Sequence, residues 1–312
     1  MKKGFIIDGH CDTLTNLLDR SLNIDCDENH INLDRLIAGN VGIQFFAAWI
    51  GPRFKYGSPL KRALRLIDTY NQMICNAAHI LRPILKYEDI ESIKDNQIGT
   101  ILTVEGGEVL EGELSNLRIL YKLGVRLMTL TWNYRNEIAD GVMETSAQGG
   151  LSLFGVDVVK EMNRLGMIID VSHLSEKGFW DVISLSRDPI IASHSNAAAL
   201  CNHPRNLSDY QIKAIHDKGG IIGINFYPIF LSRNKASIDD IIKHIEYIAG
   251  LTTIDVVGFG SDFDGIDMLP VGVEGPQSYP VIIERLLRLN YKEEDIRKIM
   301  YKNYLRILKA IL

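Results

Sequence analysis

Eight short runs of apolar, largely β-branched residues recur along the chain: GFIID at 4–8, VGIQFFAAWI at 41–50, GTILTVE at 99–105, VRLMTLTW at 125–132, MIIDVSH at 167–173, PIIASH at 189–194, GIIGINF at 220–226 and VVGFGSDF at 256–263. Nearly continuous apolar runs of this length read as strands buried on both faces. Segments with apolar residues at helical spacing lie between and after them, roughly at 59–80, 87–95, 113–123, 153–165, 175–186, 207–218 and 237–250. Ser175-Glu176 and Ser208-Asp209 supply helix starts. Strands that alternate with helices must pair in parallel, because a parallel neighbour is reached only through a long crossover. The pattern predicts a closed (β/α)8 TIM-type barrel built by residues 1–312 as one domain, with extra C-terminal helices at about 281–289 and 292–311. The rival, an open doubly wound sheet, lacks a G-x-G-x-x-G after the first run, and no 20–50-residue repeat or low-complexity tract suggests a solenoid or a flexible linker.

The polar residues collect where these runs end. In a barrel the C-terminal ends of the strands form the reacting face. His10 and Asp12 follow the first run, Glu105 the third, His173 the fifth, His194 the sixth and Asp262 the eighth. Alternate side chains of an extended segment share a face, so Asp8, His10 and Asp12 are expected together, with Gly9 and Cys11 opposite. Burying carboxylates and an imidazole side by side is costly unless something positive neutralises them. Three imidazoles and two carboxylates, with Asp262 as a further acid, suit two metal ions. Zinc accepts imidazole nitrogen and carboxylate oxygen and keeps a position for water when it is catalytic. Two ions about 3.5–4 Å apart need a shared ligand, and a carboxylate has two oxygens to share. Glu105 is the natural bridge, with His10 and Asp12 completing one ion and His173 and His194 the other. Two divalent ions would balance Asp12, Glu105, Asp262 and a hydroxide.

Composition narrows the partners. Lys and Arg number 34 against 39 Asp and Glu, a formal net charge of -5, and no basic run is long enough to follow a phosphate backbone, which argues against nucleic acid. The apolar stretch after Met1-Lys2-Lys3 is too short for a signal peptide or a membrane anchor, so a cytoplasmic location is expected. Cys11, Cys26, Cys75 and Cys201 form no C-x-x-C pair and read as reduced thiols, Cys11 as wall packing. DFDGID at 262–267 lacks the fifth and sixth positions of an EF-hand loop, and no G-x-S-x-G supports a serine nucleophile. His30, His79, His203, His216 and His244 have no matching partners and read as surface or structural residues. Tyr227, just after the seventh run, is a candidate substrate contact.

The motifs DGHCD, VEGGE, DVSH, SHS, HPRN and GFGSDFDG, in this order, resemble the renal (membrane) dipeptidase family of zinc metallopeptidases. The resemblance runs from about residue 4 to the end and includes NLDRLIAGNVGIQFF and NYLRIL. It implies a barrel with two zinc ions per chain on His10, Asp12, Glu105, His173 and His194, the same residues as above. It also implies Arg205 as the residue that holds the terminal carboxylate of a small dipeptide substrate, and Asp262 as the acid beside a bridging water. Tolerance of a D-residue at the second position is implied as well. One departure concerns the fourth run: vertebrate members have a histidine where LTWNYRN places Trp132, an indole that can donate one hydrogen bond but cannot carry a positive charge. Glu108, where some members have histidine, is a milder difference. The expectation is a dipeptidase, with a hydrolase of another small amide, lactam or ester as the rival enzyme and a metal-bearing binding protein without turnover as the rival class. The sequence leaves a homodimer open.

Overall fold

In the computed structural model, which describes residues 4–147 and 149–312, every one of the eight apolar runs contains a strand. The described strands are β1 (Ile6–Asp8), β2 (Val41–Trp49), β3 (Leu81–Pro83), β4 (Ile98–Glu105), β5 (Val125–Thr129), β6 (Ile168–Asp170), β7 (Ile191–Ala192), β8 (Ile221–Ile224) and β9 (Val257–Phe259). All pair in parallel. β1 pairs with β2 on one side and, through Asp8 opposite Phe259, with β9 on the other, while β2 continues to β4. Eight strands thereby close into a TIM-like barrel. β3 is the ninth. It pairs with Ile98–Thr100 of β4, and β5 takes up the pairing of β4 from Leu102 onward. The expected helix over 59–80 ends at Asn76, which frees the chain to form this short strand.

The apolar side chains divide into two clusters. Ile7, Ile43, Phe45, Ile101, Leu127, Ile168, Ile191 and Ile221 fill the barrel, and Tyr304, Ile307 and Leu308 of the C-terminal helix Asn303–Ile311 cap it from below. The other cluster, including Ile6, Phe46, Leu102, Val104 and Ile169, lies between the strands and the outer helices. Alternation along each strand produces this division, inward and outward residues following one another with period two. The Tyr304 hydroxyl donates to the Phe259 carbonyl at 2.9 Å and lies where a Cβ at Gly9 would fall, so a glycine at position 9 lets the plug approach. The predicted helix at 292–311 is divided into Glu293–Arg297, a π-helical stretch at Lys298–Lys302 and Asn303–Ile311. Helices at Thr13–Asp19 and Leu33–Ala38 join β1 to β2 and lie outside the predicted set. No helix among the described residues is long and apolar enough to cross a membrane.

The plug closes one end of the barrel. The C-terminal ends of the strands open at the other, and that end carries the clustered polar groups.

Candidate metal centre

His10, Asp12, Glu105, His173, His194 and Asp262 arrive at this mouth from five different strand ends, and all six are buried. Their ligand atoms fall into three overlapping groups, His10–Asp12–Glu105, Glu105–His173–His194 and His10–His194–Asp262, each within 4.8 Å. The Glu105 carboxylate is shared between two of them. Its Oε2 lies 3.6 Å from His10 Nε2, which is itself 3.5 Å from Asp12 Oδ2. Its Oε1 lies 2.9 Å from His173 Nε2 and 3.5 Å from His194 Nε2. Asp262 Oδ1 is 3.8 Å from His10 Nε2, and its Oδ2 accepts a 2.9 Å hydrogen bond from Asn225.

The backbone is bent to aim these groups. His173 and Asp262 have φ of 67° and 65°, in the left-handed region that residues other than glycine seldom occupy. Such conformations cost free energy and persist where the surrounding structure enforces them. A Cβ at Gly265 would collide with the carboxylates of Asp12 and Asp262, so only glycine lets that turn close over them. Asp264 anchors the turn from outside, accepting from Thr13 Oγ1 at 2.6 Å and from the His30 amide at 2.6 Å.

Asp8 does not join the cluster. Ile6 packs in the outer layer and Ile7 inside the barrel, so Asp8 has the parity of Ile6. Its oxygens accept from Ser261, from N at 2.9 Å and from Oγ at 2.5 Å. β1 ends at Asp8, and with it the alternation that would have placed Asp8 beside His10 and Asp12. Cys11 is buried on the outer side, where its thiol donates to the Phe45 carbonyl at 3.2 Å.

The electrostatics are those of an anionic cluster in search of a cation. Burial pulls the His10 imidazole down, but Glu105, Asp12 and Asp262 outweigh it and hold it up at about 10. Burial, then the charge of Asp12, pushes Glu105 well above the usual carboxylate range. Burial likewise lifts Asp262, against the pull of His10, to about 6. His173 and His194 are held well below the usual imidazole value by burial and by the nearby charges of Arg205 and His10, which keeps them neutral and able to act as ligands. Both ring nitrogens of His10 and Asp12 Oδ1 are buried with no hydrogen-bond partner. Orphaned polar atoms of this kind are costly, and a divalent cation would satisfy them together. The donor set, imidazole nitrogen with carboxylate oxygen, fits metal ions of the zinc type.

A cavity of about 240 Å³ opens above the cluster, lined among others by Trp49, Trp132, Arg205, Tyr227 and Phe230. Trp132 stacks edge-on against Trp49 with centroids 5.5 Å apart and lies 6.0 Å from the His173 ring. Arg205 is buried, donates from Nη2 to the His194 carbonyl at 3.0 Å and leaves Nε without a partner. No carboxylate lies within ion-pairing distance of it among the described residues, which excludes a surface salt bridge as its role. The cluster and the cavity above it thus bring together His10, Asp12, Glu105, His173, His194, Asp262, Arg205, Trp132 and Tyr227, but not Asp8. Sequence reasoning missed Asn133, which meets His173 Nδ1 at 2.7 Å, Asn225 beneath Asp262, and Asp170 and Ser193 behind His194. A polar residue inside or directly after an apolar strand, as in MIID and GINF, is the signal that could have found them. His244 is structural: it is buried, accepts from the Ala197 amide and meets the Leu231 carbonyl.

The family model of the membrane dipeptidases, peptidase family M19, matches residues 1–312. An uncharacterized dipeptidase of Schizosaccharomyces pombe is 34% identical over 299 residues, covering 90% of this chain and 72% of its own. An uncharacterized protein of Klebsiella pneumoniae from the pqqA 5′ region is 35% identical over 266 residues, covering 82% of this chain and 98% of its own. Among solved structures, a metallopeptidase of Rhodobacter sphaeroides liganded with a phosphinate mimic of the dipeptide L-Ala-D-Ala superposes with a TM-score of 0.90 at 26% identity, over 99% of both chains. A dipeptidase of family M19 superposes equally well, with a TM-score of 0.90 at 26% identity over 99% of both chains.

Proposed function

The chain belongs to the membrane dipeptidase family, peptidase family M19, and is a metallopeptidase of that type; from this premise we propose that it hydrolyses the single peptide bond of free dipeptides with two zinc ions in the centre described above. The observation that carries the reading is the split of Glu105, one oxygen toward His10 and Asp12 and the other toward His173 and His194. His10 and Asp12 would hold one ion, His173 and His194 the other, and Glu105 both. When bound, the ions supply a water acidic enough to ionise near neutral pH and an electrophile for the carbonyl oxygen.

The chain's own groups do the rest. Asp262 takes the proton of the attacking water and returns it to the leaving amine, which a carboxylate held near neutrality can do in both directions. Asn225 holds one Asp262 oxygen and leaves the other facing the cluster. Arg205 pairs with the C-terminal carboxylate of the substrate. Its burial with no carboxylate within ion-pairing distance among the described residues supports this role, because a buried guanidinium gains from a directly paired anion. The cavity of about 240 Å³ over the cluster, walled by Trp49, Trp132 and Tyr227, can seat a small substrate, and a second cavity of about 710 Å³ shares His173 and Arg205 with it. The L-Ala-D-Ala mimic bound by the Rhodobacter sphaeroides relative supports acceptance of a D-residue at the second position.

The test is a comparison of free dipeptides with their C-terminal amides, with and without chelator. The unmutated protein should prefer the free acid strongly and lose activity on chelation. Arg205→Ala should lower kcat/KM by about 2–4 kcal/mol, roughly 30- to 1,000-fold, by loss of a buried charge partner, and erase most of the preference at unchanged metal content. Equal cleavage of acid and amide by the unmutated protein would instead favour a hydrolase of other small amides. Trp132→His probes the aromatic wall. Selectivity among dipeptides should shift while the metal content stays at that of the parent, and an unchanged selectivity profile would reduce Trp132 to packing.

A further inference from the structure

Behind His194 lies a chain of hydrogen bonds that the catalytic reading does not use. Leu127, Ile168 and Ile191 belong to the apolar cluster inside the barrel, and two residues after each along the chain stand Thr129, Asp170 and Ser193, all buried. Four donors converge on Asp170. The amides of Ser172 and Ser193 both donate to Oδ1 at 2.9 Å, while Thr129 Oγ1 at 2.6 Å and Ser193 Oγ at 2.5 Å donate to Oδ2. A carboxylate can only accept, so the Ser193 hydroxyl proton is committed to Asp170. Ser193 Oγ also lies 2.7 Å from His194 Nδ1. With its proton already given away, the hydroxyl can serve His194 only as an acceptor. His194 must then carry its proton on Nδ1 and present a bare lone pair at Nε2, the atom 3.5 Å from Glu105 Oε1 and 2.9 Å from His173 Nε2.

We propose that Asp170 and Ser193 are positioning residues that lock His194 in the Nδ1–H tautomer and so set the affinity of the half-site formed with His173. The inference rests on the reading of the cluster as a metal centre. The molecule contains its own control. Ser261 grips Asp8 through the same pair of bonds, N to Oδ1 at 2.9 Å and Oγ to Oδ2 at 2.5 Å; its hydroxyl also reaches the His10 carbonyl at 3.5 Å and accepts from the Phe263 amide at 3.3 Å, but among the described residues no imidazole nitrogen sits against it. Loss of a serine–aspartate bond can therefore be separated from loss of tautomer control.

Three variants decide it, each expressed in full length, loaded with zinc or cobalt and followed by metal analysis and by the rate of metal release to a chelator. Ser193→Ala should weaken one of the two ions on the order of 10-fold, at the low end of the 10- to 100-fold range for outer partners of metal-ligating histidines. Asp170→Asn is nearly isosteric but should weaken it more, on the order of 100-fold. The two backbone amides hold the amide oxygen at the Oδ1 position, which turns the NH2 toward Ser193. Ser193 then gives its proton to His194 Nδ1 and leaves the N–H on Nε2, aimed at the centre, the wrong tautomer for a ligand. A merely structural role predicts the reverse order, the cavity-forming change being the worse. Ser261→Ala should release metal at the parental rate, and the cobalt absorption spectrum should change in the first two variants and not in the third. Parental release rates and spectra in Asp170→Asn, or equal effects of Ser193→Ala and Ser261→Ala, would overturn the proposal. If Asp170→Asn does not fold, the comparison of the two serine variants decides alone. An unmutated protein that takes up no metal would defeat the metal reading itself, a separate result.

Discussion

Glu105→Gln is expected to weaken both ions together and to abolish turnover. The carboxylate directs one oxygen at each half of the cluster, 3.6 Å from His10 Nε2 and 2.9 Å from His173 Nε2. Glutamine keeps the shape and forfeits both the charge and one of the oxygens. Whichever way the amide turns, one half of the cluster meets an N–H donor where a cation needs an acceptor. The loss of affinity should exceed the roughly 10- to 100-fold that removal of an outer hydrogen-bond partner costs a metal site. Metal analysis after dialysis measures it directly: near two equivalents in the parent and well below one in the variant. Retention of two equivalents with full activity would remove Glu105 from the bridging position. Replacement of His173 or His194 should weaken one ion preferentially, so the two kinds of variant differ in stoichiometry as well as in extent.

Asp262→Asn should do the opposite, leaving metal and KM near their parental values while kcat falls. A group that moves a proton in the transition state contributes about 100- to 10,000-fold, and an amide cannot replace it. Equal losses in kcat and kcat/KM are the signature of an interaction made only in the transition state. The pH profile carries the sign. Burial raises the Asp262 carboxyl to about 6, and the base form is the ionised one, so activity should rise with pH through the acid limb. A neighbouring cation favours the ionised form and moves that limb to lower pH. The limb should disappear in the asparagine variant. An unchanged kcat across the pH range would take Asp262 out of the mechanism.

Much of this architecture was legible from local pattern. The apolar runs are buried on both faces, and that burial requires helices outside and side chains within, so run length and spacing were enough to identify the eight barrel strands. β3 escaped because three residues ending in Pro83 carry no periodicity of their own, and only pairing with β4 makes them a strand. The helices between β1 and β2 are short, seven and six residues, too brief for a periodic signal to stand out. The candidate ligand residues stood out for the converse reason. A histidine or carboxylate directly after a buried strand is chemically out of place, and it is visible without knowledge of its neighbours.

What the linear chain determined by itself, then, is which side chains reach the mouth of the barrel, since strand order and strand ends follow from hydrophobic spacing. Tertiary structure alone decided where each one points. The parity argument placed Asp8 with His10 and Asp12, yet β1 ends at Asp8 and its carboxylate is held by Ser261, 253 residues away in sequence. Arg205 could have been a surface cation, and the fold buries it against the His194 carbonyl with no carboxylate within ion-pairing distance among the described residues. The grip of Asp170 on Ser193, and through it on His194, joins strands β6 and β7 by hydrogen bonds whose direction depends on distances of 2.5 and 2.7 Å. Hydrophobic periodicity is a property of neighbours along the chain, whereas the aim of a carboxylate and the tautomer of an imidazole depend on atoms brought together only when the barrel closes.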